Sequence, residues 1–250
     1  MKLVVSVAAL AIVPSSVFAV PALTHVDTTP GNTIGTFNYA NGGGAGFGGT
    51  VGAGSISFDS DNANLYIRFA PGGGLNDLVA IFLDTRAGGF TDATMNDNGD
   101  GSRRALSNLS VDGDDPFPAG FLPDWGVVSA GFGTVEFELT PGPLNFVNFD
   151  GTNPVITSAT GYAIPLAALG IGPGDVVDFF VAYTSDSGFL SNESIPASPA
   201  LNGGGNPGFG SPAAANPGYS AYNRFQTVPT PGALALAGVA GLAAARRRRS

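Results

Sequence analysis

Apolar and polar positions alternate in short bursts along this chain. In "NLYIRFA" (Asn64 to Ala70), Leu65, Ile67 and Phe69 fall at every second position, the period of a strand with one buried face. "GTVEFELT" repeats the pattern and places Val135, Phe137 and Leu139 inward, with Glu136 and Glu138 outward. "DLVAIFLD" (Asp77 to Asp84) and "DVVDFFVAYTS" (Asp175 to Ser185) are short and apolar almost throughout. That suits central strands buried on both faces. Ser55 to Phe58 adds a short alternating strand, and "DWGVVSAGFG" pairs with "GTVEFELT" as a hairpin around Gly131 to Gly133. "PLNFVNF" and "PVITSATGYAIPL" follow as further strands. Ala167 to Leu169 is one helical turn at most, stopped by Gly170. Ser191 to Gly218 reads as loop, and "YSAYNRFQTV" (Tyr219 to Val228) as a closing strand.

Short strands at roughly regular spacing, with turns between them, predict an all-β protein. The expected form is a β-sandwich of jelly-roll or immunoglobulin-like type. A signal-peptide helix is expected at the N-terminus and a short hydrophobic helix at the C-terminus. No repeat of 20–50 residues appears, which excludes solenoids and propellers. The expected organisation is 1–19 signal peptide, 20–54 Gly-rich N-terminal segment and first strands, 55–227 sandwich domain, and 228–250 tail.

Both ends break the alternating pattern. At the N-terminus, Lys2 precedes the apolar stretch Leu3 to Val13, and Val17-Phe18-Ala19 forms a small-residue cleavage site. This is the organisation of a secretory signal peptide cut after Ala19. At the C-terminus, Pro229 and Pro231 precede an apolar run from Ala233 to Ala245, followed by Arg246, Arg247, Arg248 and Arg249. Thirteen helical residues reach only about 20 Å, short of the roughly 30 Å hydrocarbon core. The Arg block stays cytoplasmic by the positive-inside tendency. Such a tail holds a translocating chain only transiently.

Charge sharpens the picture. The whole chain carries a formal charge of -9. Lys2 and the terminal arginines belong to the two end segments, so the body keeps only Arg68, Arg86, Arg103, Arg104 and Arg224. Five cations against 19 Asp and Glu leave a balance of -14. That surface repels nucleic acid and anionic lipid and suits a soluble exported protein. With no Cys, neither a disulfide framework nor a thiolate site exists.

The tail carries a resemblance. Val228, Pro229, Thr230, Pro231 and Gly232, the apolar run, and Arg246 to Arg249 resemble a PEP-CTERM sorting signal, although Thr230 stands where that family has Glu. The resemblance implies recognition and processing by the membrane enzyme exosortase after export by the secretion machinery. The implied destination is the surface or extracellular matrix of a Gram-negative bacterium. A weaker resemblance, of "NLYIRFA…NDLVAIFLDT" and "GYAIPLAALGIGPGDVVDFFVAYTSD", is to family 9 carbohydrate-binding and DOMON-like sandwiches. It implies a possible extracellular polysaccharide ligand.

Few stretches suggest chemistry. In "TDATMNDNGDGSRR", Asn96, Asn98, Asp100 and Gly101 match positions 1, 3, 5 and 6 of a calcium loop. Ser107 stands where the bidentate Glu belongs, so Asp92 or Asp84 is the expected closing ligand for Ca2+. The same residues also favour Asx-Gly turns unaided, and Arg103 or Arg104 is placed to neutralise the loop's own acids. "DGDD" (Asp112 to Asp115) reads as a solvated turn. The GxGxxG at Gly44, Gly46 and Gly49 lacks the strand, helix and acidic residue of a dinucleotide site. Trp125, Tyr219 and Tyr222 are the candidate sugar-stacking aromatics. His25, the only histidine, is a poor base for a triad or zinc site. Glu136 and Glu138 have a spacing that a glycosidase pair could use, but strand alternation alone explains them as a solvated face. The leading expectation is therefore an exported, non-enzymatic surface or matrix protein. The first alternative is a secreted carbohydrate-binding module with a calcium-ordered loop; the second is a secreted hydrolase.

Overall fold

In the computed structural model, the described residues are 25–26, 37–39, 42–89, 97–107, 117–140, 142–149, 151–198, 205–208 and 219–227. They form β1 (His25–Val26), β2 (Phe37–Tyr39), β3 (Ser55–Ser60), β4 (Asn64–Ala70), β5 (Leu78–Asp84), α1 (Gly101–Ser107), β6 (Trp125–Ala130) and β7 (Gly133–Glu138). Then come β8 (Asn145–Val147), β9 (Tyr162–Pro165), β10 (Val176–Thr184), β11 (Leu190–Ile195) and β12 (Asn223–Gln226). The protein is mostly β, with antiparallel pairing throughout except between β1 and β12. Ala19 and the whole tail from Val228 to Arg249, with the two expected terminal helices, lie outside the described residues.

The larger sheet has the order β1-β12-β10-β5-β6-β7-β8. One edge of β10 is shared end to end: residues 176–179 pair with β12 and residues 181–184 with β11. The smaller sheet has the order β2-β3-β4-β9. The expected alternation in β4 is met, since Leu65, Ile67 and Phe69 are buried and the residues between them are partly exposed. These side chains meet Ile81, Phe179, Val181 and Phe225 of the larger sheet in one inter-sheet core. Phe58 and Phe179 mark its centre, with ring centroids 4.2 Å apart.

The larger sheet is buried on its other face too. Ala80, Phe82, Val128, Phe137 and Phe180 lie beneath Ala105 and Leu106 of α1, Phe117, Phe121, Tyr219 and Tyr222. This second covering explains why β5 and β10 are apolar at nearly every position: neither face reaches water. A Cβ on Gly126 would meet the Leu106 side chain at 2.6 Å, so α1 rests directly on the β6 backbone.

Three expectations need correction. Glu136 does not face solvent; it is 1% exposed, because the face of β7 opposite Phe137 is also covered. Only Tyr162–Pro165 of the stretch from Pro154 to Leu166 pairs as a strand. Most notably, Ser191 onward is not all loop. β11 is a strand whose buried side chains include Ser191, Glu193 and Ser194, so the apolar period that signals a half-buried strand is absent from its sequence.

Candidate functional site

The buried acid of β11 organises the glycine-rich segment. Glu193 Oε1 accepts the backbone N–H groups of Phe47 and Gly49, each at 2.8 Å. Its Oε2 accepts those of Val51 at 2.8 Å and Gly52 at 3.2 Å. Next to it, Asn192 Oδ1 accepts the N–H groups of Ala45 and Gly46 at 3.2 and 2.9 Å. Two consecutive residues thus hold six backbone donors. Converging N–H groups in a glycine-rich turn make an anion-binding concavity, and here the anion is the chain's own carboxylate. Glycine is required for this approach: a Cβ on Gly44 would lie 2.2 Å from the Asn192 carbonyl oxygen, and one on Gly52 would lie 1.9 Å from that of Gly44. The glycines of the GxGxxG therefore wrap an internal acid. Phe47 is pinned between Tyr183 and Phe189. A bridge between Gly43 and Ser194 lays the loop along the β11 edge, which protects that edge from further pairing.

The second half of the calcium-loop candidate is helical. Positions 7 to 12 of such a loop fall on Ser102 to Ser107, and these lie in α1. Asp100 caps that helix, its Oδ1 accepting the Arg103 N–H at 2.9 Å, as an N-cap carboxylate does. It also pairs with the Arg103 guanidinium. These contacts hold the Asp100 carboxyl below its usual range against the opposing effect of burial. Asn98 contributes its backbone carbonyl to Arg104 at 3.2 Å. Asp97 is the anchor: Oδ2 accepts the Leu144 N–H at 2.9 Å and pairs with Arg103 Nε at 3.1 Å. Ser107, the nominal twelfth position, hydrogen-bonds to the Asp97 backbone. Asp92 and Asn96 lie outside the described residues, as do Asp112 to Asp115. Among the described residues, no group of three acidic or imidazole side chains is arranged to hold a metal ion.

The three candidate sugar-stacking aromatics are all buried. Trp125 is 5% exposed and belongs to the inter-sheet core, with Phe149 at its edge and Arg86 over its ring. Tyr219 and Tyr222 are buried on the opposite face of the same sheet. The three rings share no surface. The Tyr219 hydroxyl donates to the Ser191 carbonyl at 2.8 Å, and burial pushes its phenol up. Glu136 and Glu138 form no free pair either, since Glu138 accepts from Arg86 and Asn145.

Sequence reasoning names Asp84 only as a calcium ligand and passes over Asp124 and Asp178, with which it clusters at the end of the larger sheet where β5 and β12 finish and β10 begins. Asp124, 3% exposed, accepts the N–H groups of Thr85 and Arg86 at 2.8 Å and pairs with Arg86 Nε at 3.3 Å. Asp178 sits between Asp84 and Arg224 in the strand register and pairs with the Arg224 guanidinium at 2.5 and 2.6 Å. Asp84 accepts the Leu122 N–H at 2.9 Å. Desolvation, followed by repulsion from Asp124 and Asp178, pushes its carboxyl from the ordinary 3.8 up to about 6. The signal available for Asp178 was an acid interrupting an otherwise apolar run.

The sign of the Asp84 effect follows from its raised value. A carboxyl that holds its proton more tightly when folded stabilises the fold below pH 4. That contribution is lost as pH rises through about 6. Asp84→Asn keeps an acceptor for Leu122 and removes the charge. The variant is expected to match the parent near pH 4 and to exceed it by about 1 kcal/mol at pH 8, after allowance for solvent screening. Urea unfolding at the two pH values reads the difference; equal gaps at both would contradict it.

Beside these acids the last strand ends in a lock. Thr227 is fully buried, and its N–H donates to the Asp175 carbonyl at 2.9 Å. Its hydroxyl lies 3.0 Å from the carbonyls of Gly172 and Asp175 and accepts the Gly174 N–H at 2.8 Å. The next residue is Val228, where the tail begins. Compared with family models, curated proteins and solved structures, the chain matches none of them.

Proposed function

We propose that the chain is an exported, non-enzymatic protein of the bacterial surface or extracellular matrix. A PEP-CTERM-like tail, processed by exosortase, delivers a β-sandwich body of jelly-roll or immunoglobulin-like type. The observation that carries this reading is the boundary at Thr227: the last strand is locked by four hydrogen-bond contacts, and the Pro-apolar-Arg tail starts at the following residue. The sandwich assignment is supported by the connections β4 to β5, β8 to β9 and β9 to β10, each of which passes between sheets. Three of the buried acids serve the fold itself. Glu193, Asp124 and Asp178 are each held by backbone N–H groups, an arginine, or both.

The test compares the full chain with one truncated after Thr227, by fractionation of a host that carries exosortase. The full chain is expected in the surface or matrix fraction, and the truncated chain soluble in the periplasm or medium. A truncated chain retained at the surface as efficiently as the full one would overturn the sorting role of the tail.

A further inference from the structure

β8 ends the larger sheet, and among the described residues no strand pairs with its outer side. Other edges of the fold are blunted. Bridges to Gly43 and Gly208 close β11, and β1 is only two residues long. β9 carries Pro165, which has no N–H to offer a neighbour. Within β8 none of these devices is present, and no residue from Leu139 to Phe149 is charged. Asn145 and Phe146 are exposed, and Phe146 keeps 50% of its surface in water. Its ring meets the buried Phe137 of β7 edge to face, with centroids 5.8 Å apart. A row of aromatic rings thus crosses the sheet and stops in open space.

Charge indicates what this edge accepts. The body's balance of -14 keeps copies apart wherever acids face acids. Beside β8 the acids are already neutralised. Glu138 pairs with Arg86 at 3.3 Å and accepts from Asn145. Asp97, which accepts the Leu144 N–H, pairs with Arg103 at 3.1 Å. Glu136, opposite Val147 in the register, is buried. The edge therefore suits an uncharged strand, and the chain itself supplies one. We propose that β8 pairs antiparallel with β8 of a second copy, joining two bodies through one continuous sheet. A two-fold axis at Phe146 sets the two Phe146 rings side by side, each backed by its own Phe137, where cross-strand aromatic pairs stabilise a sheet. A strand paired with itself in this way is self-complementary, so the contact closes as a dimer and does not grow into a fibre. Three paired residues make a small interface, and the dimer is accordingly weak, with dissociation in the micromolar range.

Sedimentation of the purified full chain over a micromolar concentration series measures the mass, and hydrogen exchange at the two ends of that series locates the contact. The parent is expected to double in mass, and amides within 145–147 to gain protection over the same range. Phe146→Lys sets like charges against each other at the axis. It is expected to stay monomeric, with a denaturation midpoint close to the parent's because the ring it replaces is half in water. Phe132→Lys removes the other exposed phenylalanine, 62% exposed in the β6–β7 turn. That variant is expected to dimerise as the parent does. A parent that remains monomeric throughout overturns the proposal, and so does a Phe146→Lys chain that dimerises equally well. Doubling of mass without added protection at 145–147 overturns it too, by placing the contact elsewhere. Loss of the dimer in both lysine variants would assign association to exposed apolar surface in general and would equally overturn the β8 pairing.

Discussion

Replacing Glu193 by Ala is expected to cost about 3 to 5 kcal/mol of folding stability, the range for removing one partner of a buried, charge-assisted network. Four backbone donors, at Phe47, Gly49, Val51 and Gly52, converge on its two oxygens. Alanine leaves those donors turned toward a space too enclosed for free solvation, since Glu193 is fully buried. Glu193→Gln is expected to lose less. Its carbonyl still satisfies one pair of donors, while its amide opposes the other pair with hydrogens. Chemical denaturation of the tail-less body measures both variants. A loss below about 1 kcal/mol for the Ala variant would mean that the loop finds other acceptors. Hydrogen exchange gives the local readout: the amides of 47–52 should lose protection first in both variants.

Phe179→Ala probes the other long-range dependency, the union of the two sheets. Phe179 is fully buried and its ring lies 4.2 Å from that of Phe58 on the facing sheet. Truncation removes contacts from both layers and leaves a cavity that neighbouring strands cannot collapse to fill. The expected cost is about 3 to 5 kcal/mol, read as a shift of the denaturation midpoint at unchanged slope. Two sheets unfolding as separate units would instead give two transitions, with only one of them moved.

Strands with a clear apolar period were legible in the sequence because their partners are apolar too. β4 shows the alternation of one buried face, and β5 and β10 show the continuous runs of a doubly covered sheet. β11 was not legible, since its fully buried side chains include Ser191, Glu193 and Ser194. Burial of Glu193 makes sense only when loop amides more than 140 positions away are brought to it, a relation no local period encodes. The converse holds for "DNGDGSRR" (Asp97 to Arg104). Its oxygen-rich spacing suits a cation, but Arg103 and the start of α1 take up Asp97 and Asp100 instead. Aromatic residues gave a similar ambiguity. Trp125, Tyr219 and Tyr222 pack in two cores on opposite faces of one sheet, and only the strand pairing shows which face each takes.

The tail was read from its order of Pro, apolar run and Arg block alone, and it lies outside the described residues. Its meaning is sharpened by Thr227, the locked residue beside it. The most direct measurement is the intact mass of the protein recovered from the surface or matrix of cells that carry exosortase. The expected species begins after Ala19 and lacks Arg246 to Arg249, with its C-terminus between Thr227 and the apolar run. A surface-recovered protein that retains the four arginines would contradict the proposed sorting and processing.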